Sequence, residues 1–178
     1  MMGQPGVDPL KFGLAGGCPR AYATLYDQLA PALLRTARTL LGSTSEAEDA
    51  VQDVFVNLVR SRDRLAEVED LAAYLFTALR HVVGRRLVQR AAERRGLEQL
   101  ARNGHNESPA PSCSEDEDLE RALTTLPDEQ RQVIALKIDG GLTFAQIAAV
   151  LNISLNTAAS RYRYALEKLR QQLGRNEP

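Results

Sequence analysis

The sequence has no tryptophan and few other aromatic residues, so its core must be largely aliphatic. Four phenylalanines and five tyrosines supply all the aromatic rings among 178 residues. No apolar run approaches the roughly 18 residues that a membrane-spanning helix needs. Residues 1–17 contain neither a basic start nor an apolar stretch, so a secretory signal is not expected. The expected location is the cytoplasm.

The residues that usually build catalytic or metal sites are also scarce. Cys18 and Cys113 lie far apart and belong to no CxxC or Cys/His cluster, so free thiols are expected. The two histidines, His81 and His105, fall in a basic stretch and a polar stretch. The sequence contains no phosphate-binding loop, no metal-ligand spacing and no paired nucleophile and base. We therefore expect no enzyme activity, no metal and no cofactor.

Charge is nearly balanced over the chain but strongly segregated along it. The formal net charge is −1, from 22 basic and 23 acidic side chains. Residues 43–70 carry eight acids and three arginines, whereas residues 80–102 carry seven arginines and two acids. Residues 155–175 carry five basic side chains and one acid. Two basic stretches in a neutral chain indicate local contact with a polyanion, although solvated helix faces would give the same pattern.

Leucine and alanine recur with helical spacing, which favours an all-α fold of two small helical domains. The stretch 103–118 is polar, with two prolines and five acids, and is expected to be a flexible linker. The predicted organisation is an N-terminal arm at 1–17, flexible in our expectation, a first domain at 18–102 and a second domain at 119–178.

Local signals predict where the helices begin and end. The first helix is expected from Pro19 to Leu41, with a kink or a restart at Pro31 and with Gly42 as its C-terminal cap. A capping box of Ser45 with Glu48 is expected to open the second helix. Asp70 is expected to cap the third helix, which becomes basic toward its end.

The second domain carries a helix-turn-helix pattern. Thr143 with Gln146 forms a capping box for a short helix, Asn152 suits a left-handed turn, and Ser154 caps a basic helix that runs to about Leu173. Short polar groups and one arginine near the start of this last helix suit base edges and phosphates. A helical hairpin with a solvated face is the simpler alternative.

Two stretches of the sequence resemble regions of a known protein family. The stretch LPDEQRQVIALKIDGGLTFAQIAAVLNISLNTAASRYRYALEKLRQQL resembles region 4 of extracytoplasmic-function (ECF) sigma factors of the sigma-70 family. The stretch LYDQLAPALLRTARTLLGSTSEAEDAVQDVFVNLVR is similar to region 2, and AEDAVQDVF is its most specific part. The resemblance covers about 21–95 and 118–173. It implies a subunit that binds core RNA polymerase and directs promoter recognition and transcription initiation.

The resemblance implies two functional surfaces in the first domain. One binds the clamp helices of the large polymerase subunit, and its expected residues are Asp49, Gln52, Asp53 and Asn57. The other reads and opens the promoter −10 element, and its expected residues are Arg80, Arg85, Arg86, Gln89 and Arg90. Tyr74 is expected either in the core or stacked on an unpaired base. His81 departs from the asparagine that is common in the family.

The resemblance implies one DNA surface in the second domain, on the recognition helix that enters the −35 major groove. Its expected residues are Asn156, Thr157, Ser160, Arg161 and Arg163. Tyr162 is expected to support the helix, and Ala159 replaces a lysine that is common in the family. Further implied partners are the polymerase flap and an anti-sigma factor; no small-molecule substrate is expected.

Two rival functions remain open at this stage. An autonomous helix-turn-helix regulator would need only the second domain and would leave the AEDAVQDVF face without a role. A helical adaptor that binds protein alone would leave the two basic stretches without a role. The sequence names neither the target promoters nor the inducing signal.

The linker allows a geometric check. Sixteen residues span at most about 55 Å, whereas promoter elements two duplex turns apart are separated by roughly 70 Å. The domains themselves must therefore supply the remaining reach.

Overall fold

The computed structural model describes residues 9–100 and 115–174, with side chains described for 9–96 and 118–174. Every regular element in these ranges is helical, which confirms the all-α prediction. None of the described helices is both long and apolar enough to cross a membrane. In chain order the elements are α1 (Pro9–Ala15), α2 (Pro19–Leu41), α3 (Thr44–Arg60), a 3₁₀ turn (Arg62–Glu67), α4 (Leu71–Leu100), α5 (Glu115–Thr124), α6 (Asp128–Ile134), a π-helical turn (Ala135–Asp139), α7 (Phe144–Leu151) and α8 (Leu155–Leu173).

The first half of the molecule comprises α1 to α4. Helix α1 lies within the expected N-terminal arm, but it packs on the 3₁₀ turn and α2 and buries Leu14 completely. The Tyr22 hydroxyl donates to the Leu14 carbonyl at 2.9 Å, and Lys11 Nζ donates to the Glu69 carbonyl at 2.7 Å. Residues 9–15 therefore belong to the folded first half, contrary to the expectation of flexibility for this part of the arm.

Helices α2 and α3 begin and end close to the predicted residues, with two corrections. Helix α2 runs without a break through Pro31, so no restart occurs, and Gly42 ends it with a positive φ of 67°. The cap of α3 is Ser43, whose hydroxyl accepts from the Glu46 backbone N–H at 3.4 Å; the predicted box of Ser45 with Glu48 is wrong. Ser43 and Glu46 have the same spacing, so the sequence pattern alone does not distinguish the two caps.

The second half comprises α5 to α8, and its local signals behave as predicted. Thr143 and Gln146 form the reciprocal capping box of α7, and Asn152 adopts a left-handed φ of 54°. The Ser154 hydroxyl accepts from the Thr157 N–H at 3.0 Å and so caps α8. Helix α5 begins at Glu115, so residues 115–118, which were expected in the linker, are helical. The rest of the predicted linker, 103–114, lies outside the described residues.

The two halves share one hydrophobic core. Phe76 and Leu79 of α4 belong to the same cluster as Leu142, Ile147 and Val150 of the second half. A second, smaller cluster lies within the second half alone. Its buried members are Ala122, Leu126, Ile134, Ala165 and Leu169.

Candidate nucleic-acid and protein interfaces

All four residues expected to bind polymerase are exposed on α3. Asp49 and Gln52 line an open groove of about 890 Å³ between α2 and α3, whereas Asp53 and Asn57 do not line it. Asp53 instead turns toward α4, where Arg86 Nη2 donates to its carboxylate at 2.7 Å. The predicted set is thus divided: Asp49 and Gln52 line the groove, Asp53 belongs to a neighbouring ion pair, and Asn57 belongs to neither.

The groove has an apolar floor built from side chains of both α2 and α3. Tyr26 and Phe55 contact each other with ring centroids 4.8 Å apart, and Val59 is 49% exposed. Acidic and amide side chains, among them Asp27 and Glu48, line its edge. An apolar floor beside carboxylates suits an amphipathic helix that presents apolar and basic side chains together. The sequence contains one signal for this groove: the apolar face of α3 is wide, and part of it, including Phe55 and Val59, lines the groove.

Two arginines expected to contact the −10 element are engaged within the first half. Arg86 lies between Asp53 and Asp49, at 2.7 and 3.8 Å, and its side chain is only 25% exposed. Arg90 pairs with Glu46 and donates through Nη1 to the Leu41 carbonyl at 2.8 Å. Arg86 therefore joins α4 to Asp49 and Asp53 of α3, and Arg90 joins it to the start of α3 and the end of α2. The sequence offered no signal for this, because the partners lie more than thirty residues away.

The opposite face of α4 carries the remaining members of the expected −10 set. Arg80, Arg85 and Gln89 line an open cleft of about 600 Å³ together with His81, which is exposed and lies 3.0 Å from Arg80 Nη2. Arg80 Nε is buried and has no hydrogen-bond partner among the described residues. Residues of α6, including Arg131, form the other wall of this cleft. Asp128 lines the same wall and pairs with Arg131, so the cations of the cleft that suit phosphates are Arg80 and Arg85.

The nearby aromatic residue Tyr74 has a structural role. It is half-buried, and its hydroxyl lies 3.0 Å from the Ser61 hydroxyl at the end of α3. Tyr74 therefore packs against the edge of the core, and its stacking on an unpaired base stays a prediction.

The expected −35 residues, 156–163, lie in the N-terminal half of α8. Asn156 and Arg163 are exposed and seven residues apart, so they share one face of the helix. Ser160 lies between them on that face, and its hydroxyl donates to the Thr157 carbonyl at 3.1 Å. Thr157 is half-buried, with its hydroxyl 2.7 Å from that of Ser154.

Arg161 differs from the rest of this set because it pairs with Glu129 of α6 at 2.7 Å and has a side chain only 26% exposed. Tyr162 packs edge-on against Phe144 of α7 with ring centroids 5.5 Å apart, as expected for a residue that supports the helix. Tyr164 is 52% exposed and lies under the guanidinium of Arg163. Fewer polar side chains of α8 are therefore exposed and unpaired than the predicted set contains.

Comparison with known proteins agrees with this arrangement of two halves. The family model of sigma-70 region 2 matches residues 25–93, and that of sigma-70 region 4 matches residues 122–171. The chain is 30% identical over 161 residues to the ECF RNA polymerase sigma factor SigL of Mycobacterium tuberculosis, covering 84% of this chain and 89% of that protein. The chain belongs to the ECF sigma factor family. Its function is that of an RNA polymerase sigma factor.

Further relatives extend the match over nearly the whole sigma factor. The chain is 29% identical over 171 residues to SigK of Mycobacterium tuberculosis, covering 92% of this chain and 91% of SigK. A solved structure of the sigma factor RpoE with the anti-sigma factor NepR from Bartonella quintana superposes with a TM-score of 0.71 at 26% identity, covering 89% of this chain and 99% of RpoE. The fold also matches CnrH in complex with the cytosolic domain of CnrY, with a TM-score of 0.69 at 24% identity, covering 94% of this chain and 97% of CnrH.

Proposed function

We propose that this ECF sigma factor docks on core RNA polymerase through the groove between α2 and α3 and reads promoter DNA through α4 and α8. The single observation that carries the proposal is the separation of three surfaces with different chemistry. An acidic, apolar-floored groove, a basic cleft and an exposed recognition-helix face lie on different elements. The chain would act in the cytoplasm as a specificity subunit, with no catalysis of its own.

The polymerase-binding surface consists of the groove rather than the whole polar face of α3. Asp49 and Gln52 line the groove, and Tyr26 and Phe55 supply its floor. A basic amphipathic helix, such as a clamp helix of the large polymerase subunit, would bury its apolar side chains here and place its cations beside Asp49. Asp53 contributes less directly, because its carboxylate already accepts from Arg86.

The double variant Asp49→Arg/Gln52→Arg tests this surface and keeps Asp53, the nearer partner of Arg86 at 2.7 Å. Because it removes the longer pair of Arg86 with Asp49 at 3.8 Å, its thermal unfolding is compared with that of the native chain. Mixed with core polymerase on size exclusion, the double variant should lose co-elution that the native chain shows. The matched control is Asp63→Arg, a charge reversal at a side chain that is 92% exposed outside the groove. Co-elution of the double variant at the native level would refute the docking surface.

Promoter contacts are divided between two helices. Arg80, Arg85 and Gln89 of α4 would hold phosphates and unpaired bases of the −10 element, and the unpartnered Arg80 Nε is the donor most in need of an acceptor. Asn156 and Arg163 of α8 would contact the −35 element, where an asparagine suits an adenine edge and an arginine suits the backbone or guanine. We propose that Arg86, Arg90 and Arg161 instead hold the helices in place.

Substitution of neighbouring arginines distinguishes these roles. Arg163→Ala should weaken binding to a −35 duplex and lower the dependence of affinity on salt, because one phosphate or base contact is lost. Arg161→Ala, two residues away, should lower the thermal stability of the chain and leave the salt dependence of its DNA affinity nearly unchanged. Equal loss of DNA affinity in both variants would contradict the division.

The groove is also the surface on which we would expect an anti-sigma factor to compete. The structural neighbours RpoE and CnrH are bound to NepR and to CnrY respectively. A peptide that blocks co-elution with core polymerase and loses this effect on the Asp49→Arg/Gln52→Arg variant would support such competition. An autonomous DNA-binding regulator would be the better description only if the chain bound duplex DNA and ignored core polymerase.

A further inference from the structure

The first turn of α8 exposes an apolar side chain at the end of the helix that is expected to enter the DNA groove. Leu155 is the first residue of α8, directly after the cap Ser154, and it is 52% exposed. A lone exposed leucine is common on protein surfaces and needs no function by itself. Its position is informative, because the N-terminal residues of a recognition helix are those that contact base edges.

Leu155 begins a row of side chains along one face of α8. Ala159 and Arg163 follow it at intervals of four residues, so the three lie one above the other along the helix. Asn156 lies beside this row, because successive residues of a helix are about 100° apart. The row is thus apolar at its N-terminal end and cationic at its C-terminal end. The side chain of Ala159 is a single methyl group, so it does not shield Leu155 from an approaching base.

The hydroxyl groups near Leu155 are engaged with α8 itself. The Ser154 hydroxyl accepts from the Thr157 N–H at 3.0 Å and lies 2.7 Å from the Thr157 hydroxyl. The Ser160 hydroxyl donates to the Thr157 carbonyl at 3.1 Å. A hydroxyl has only one proton to donate, so in this arrangement the Ser160 proton is not available to a base. Discrimination between bases in the first turn of α8 therefore falls to Leu155 and Asn156.

Leu155 is separated from other exposed apolar side chains, which argues against a protein-docking patch. Tyr164 is the other large apolar side chain exposed on α8, and it lies nine residues away on the opposite side of the helix. Helix α8 carries no acid before Glu167, so DNA phosphates can approach its N-terminal half without repulsion from the helix. One leucine among short polar groups, with no acid nearby, suits a DNA groove better than a protein surface.

Thymine is the base that offers an apolar group in the major groove, its 5-methyl. We propose that Leu155 is a specificity-determining residue of the −35 surface, which contacts a thymine 5-methyl group together with the methyl group of Ala159. Asn156 beside it suits an adenine edge, so the two residues select A·T pairs at neighbouring positions. The proposal rests on the function proposed above. It adds a requirement for the −35 element, which must contain a thymine whose methyl group faces Leu155.

Replacement of thymine by deoxyuridine tests this contact, because it removes only the 5-methyl group. The full chain is assembled with core polymerase and bound to a promoter duplex that this holoenzyme transcribes, and each thymine of the −35 element is replaced singly on either strand. At one position or two adjacent positions, affinity should fall by about three- to fivefold, as expected for the loss of one buried methyl group. Leu155→Ala should bind the thymine duplex at least as weakly and should be insensitive to the replacement.

Two further variants control for the length of the side chain and for its place on the surface. Leu155→Met keeps an apolar side chain of similar reach and should retain the sensitivity to deoxyuridine. Leu119→Ala removes a leucine that is exposed on α5 and should also retain it. Thermal unfolding of Leu155→Ala should match that of the native chain, because the side chain is half exposed.

The contact and the proposed function fail in different ways. Insensitivity of the native holoenzyme at every −35 thymine would overturn the contact, and so would equal sensitivity of the native chain and Leu155→Ala. If the native chain formed no holoenzyme, or if its holoenzyme were indifferent to replacement of the whole −35 element, the proposed function itself would fail.

Discussion

The two halves of this sigma factor are specified in different ways. The first half is held by contacts between residues far apart in the chain, such as Arg86 with Asp53 and Arg90 with Glu46. The second half is organised by local caps, and its own core cluster has five buried members among the described residues, two of them alanines. Most of its other buried residues belong to the core shared with the first half. The difference shows that the second half relies on the first for stability and on its own sequence for its shape.

The largest expected effect comes from the residue that serves both halves. Phe76→Ala removes a fully buried ring at the interface and should lower the free energy of unfolding by about 3–5 kcal/mol. Leu169→Ala in the small cluster of the second half should lower it by about 2–5 kcal/mol. Urea unfolding followed by circular dichroism measures both values.

The shape of the transition sharpens the comparison further. If the second half depends on the shared core, Phe76→Ala should shift the unfolding of both halves to lower urea together. Leu169→Ala should instead give two transitions, in which the second half unfolds at lower urea than the first. A single unchanged transition in both variants would contradict the dependence.

A smaller effect is expected from the arginines that join α4 to its neighbours. Arg90→Ala loses a carboxylate and a backbone carbonyl partner and should lower the free energy of unfolding by about 1–2 kcal/mol, discounted for partial exposure. Arg85→Ala, on the opposite face, should change it by less than about 0.5 kcal/mol. Thermal unfolding of the two variants provides the measurement. If Arg85→Ala were the more destabilising, the division of the two faces of α4 would be wrong.

The turn of the second half gives a test of local specification. Asn152 holds a left-handed φ of 54°, which an asparagine tolerates and an alanine does not. Asn152→Ala should therefore lower the free energy of unfolding by about 1 kcal/mol. Asn152→Gly, the matched control, should leave it nearly unchanged because glycine adopts this conformation readily. A destabilising glycine would indicate that the asparagine side chain, rather than the backbone, matters here.

The same difference explains what could be predicted from the sequence. Gly42, Thr143, Asn152 and Ser154 were assigned correctly because caps and left-handed turns depend on residues within a few positions. Ser43 and Ser45 offer the same spacing to a glutamate, so local pattern does not choose between them. The packing of α1 depends on contacts with the 3₁₀ turn and α2, which no local pattern contains. The π-helical turn was missed for the same reason, since its widened geometry fits Thr36, about a hundred residues away.

For the candidate sites, the sequence indicates which residue types gather, and the structure adds what each of them contacts; their roles stay predictions. The arginines of α4 formed one basic stretch in the sequence, yet the structure divides them between a cleft and ion pairs with α3. The groove beside Asp49 was hidden because its floor reads as an ordinary apolar helix stripe. Exposure of Tyr26 and Val59 becomes visible only when α2 and α3 are placed side by side.

The smallest expected effect concerns Asp70, whose carboxylate accepts both from the backbone at the start of α4 and from Gln146 of the second half. The Ala73 backbone N–H, followed by the amide of Gln146, lowers the pKa of this carboxyl below its ordinary value. The ionised form therefore stabilises the fold, fully above the ordinary pKa of about 3.9 and progressively less as pH falls through the lowered pKa. Asp70→Asn keeps a capping side chain and should lower the free energy of unfolding by about 0.3–1 kcal/mol at pH 7.

That deficit should shrink as the pH of the urea titration is lowered from about 4 toward 2, because the native carboxyl then becomes neutral as well. Gln146→Ala removes the tertiary partner but leaves the backbone cap in place. If the cap dominates, as the order of the two contributions indicates, Gln146→Ala should retain most of the pH dependence seen in the native chain. If it abolished that dependence, Asp70 would act chiefly through the contact between the halves, and lowering the pH would favour their separation.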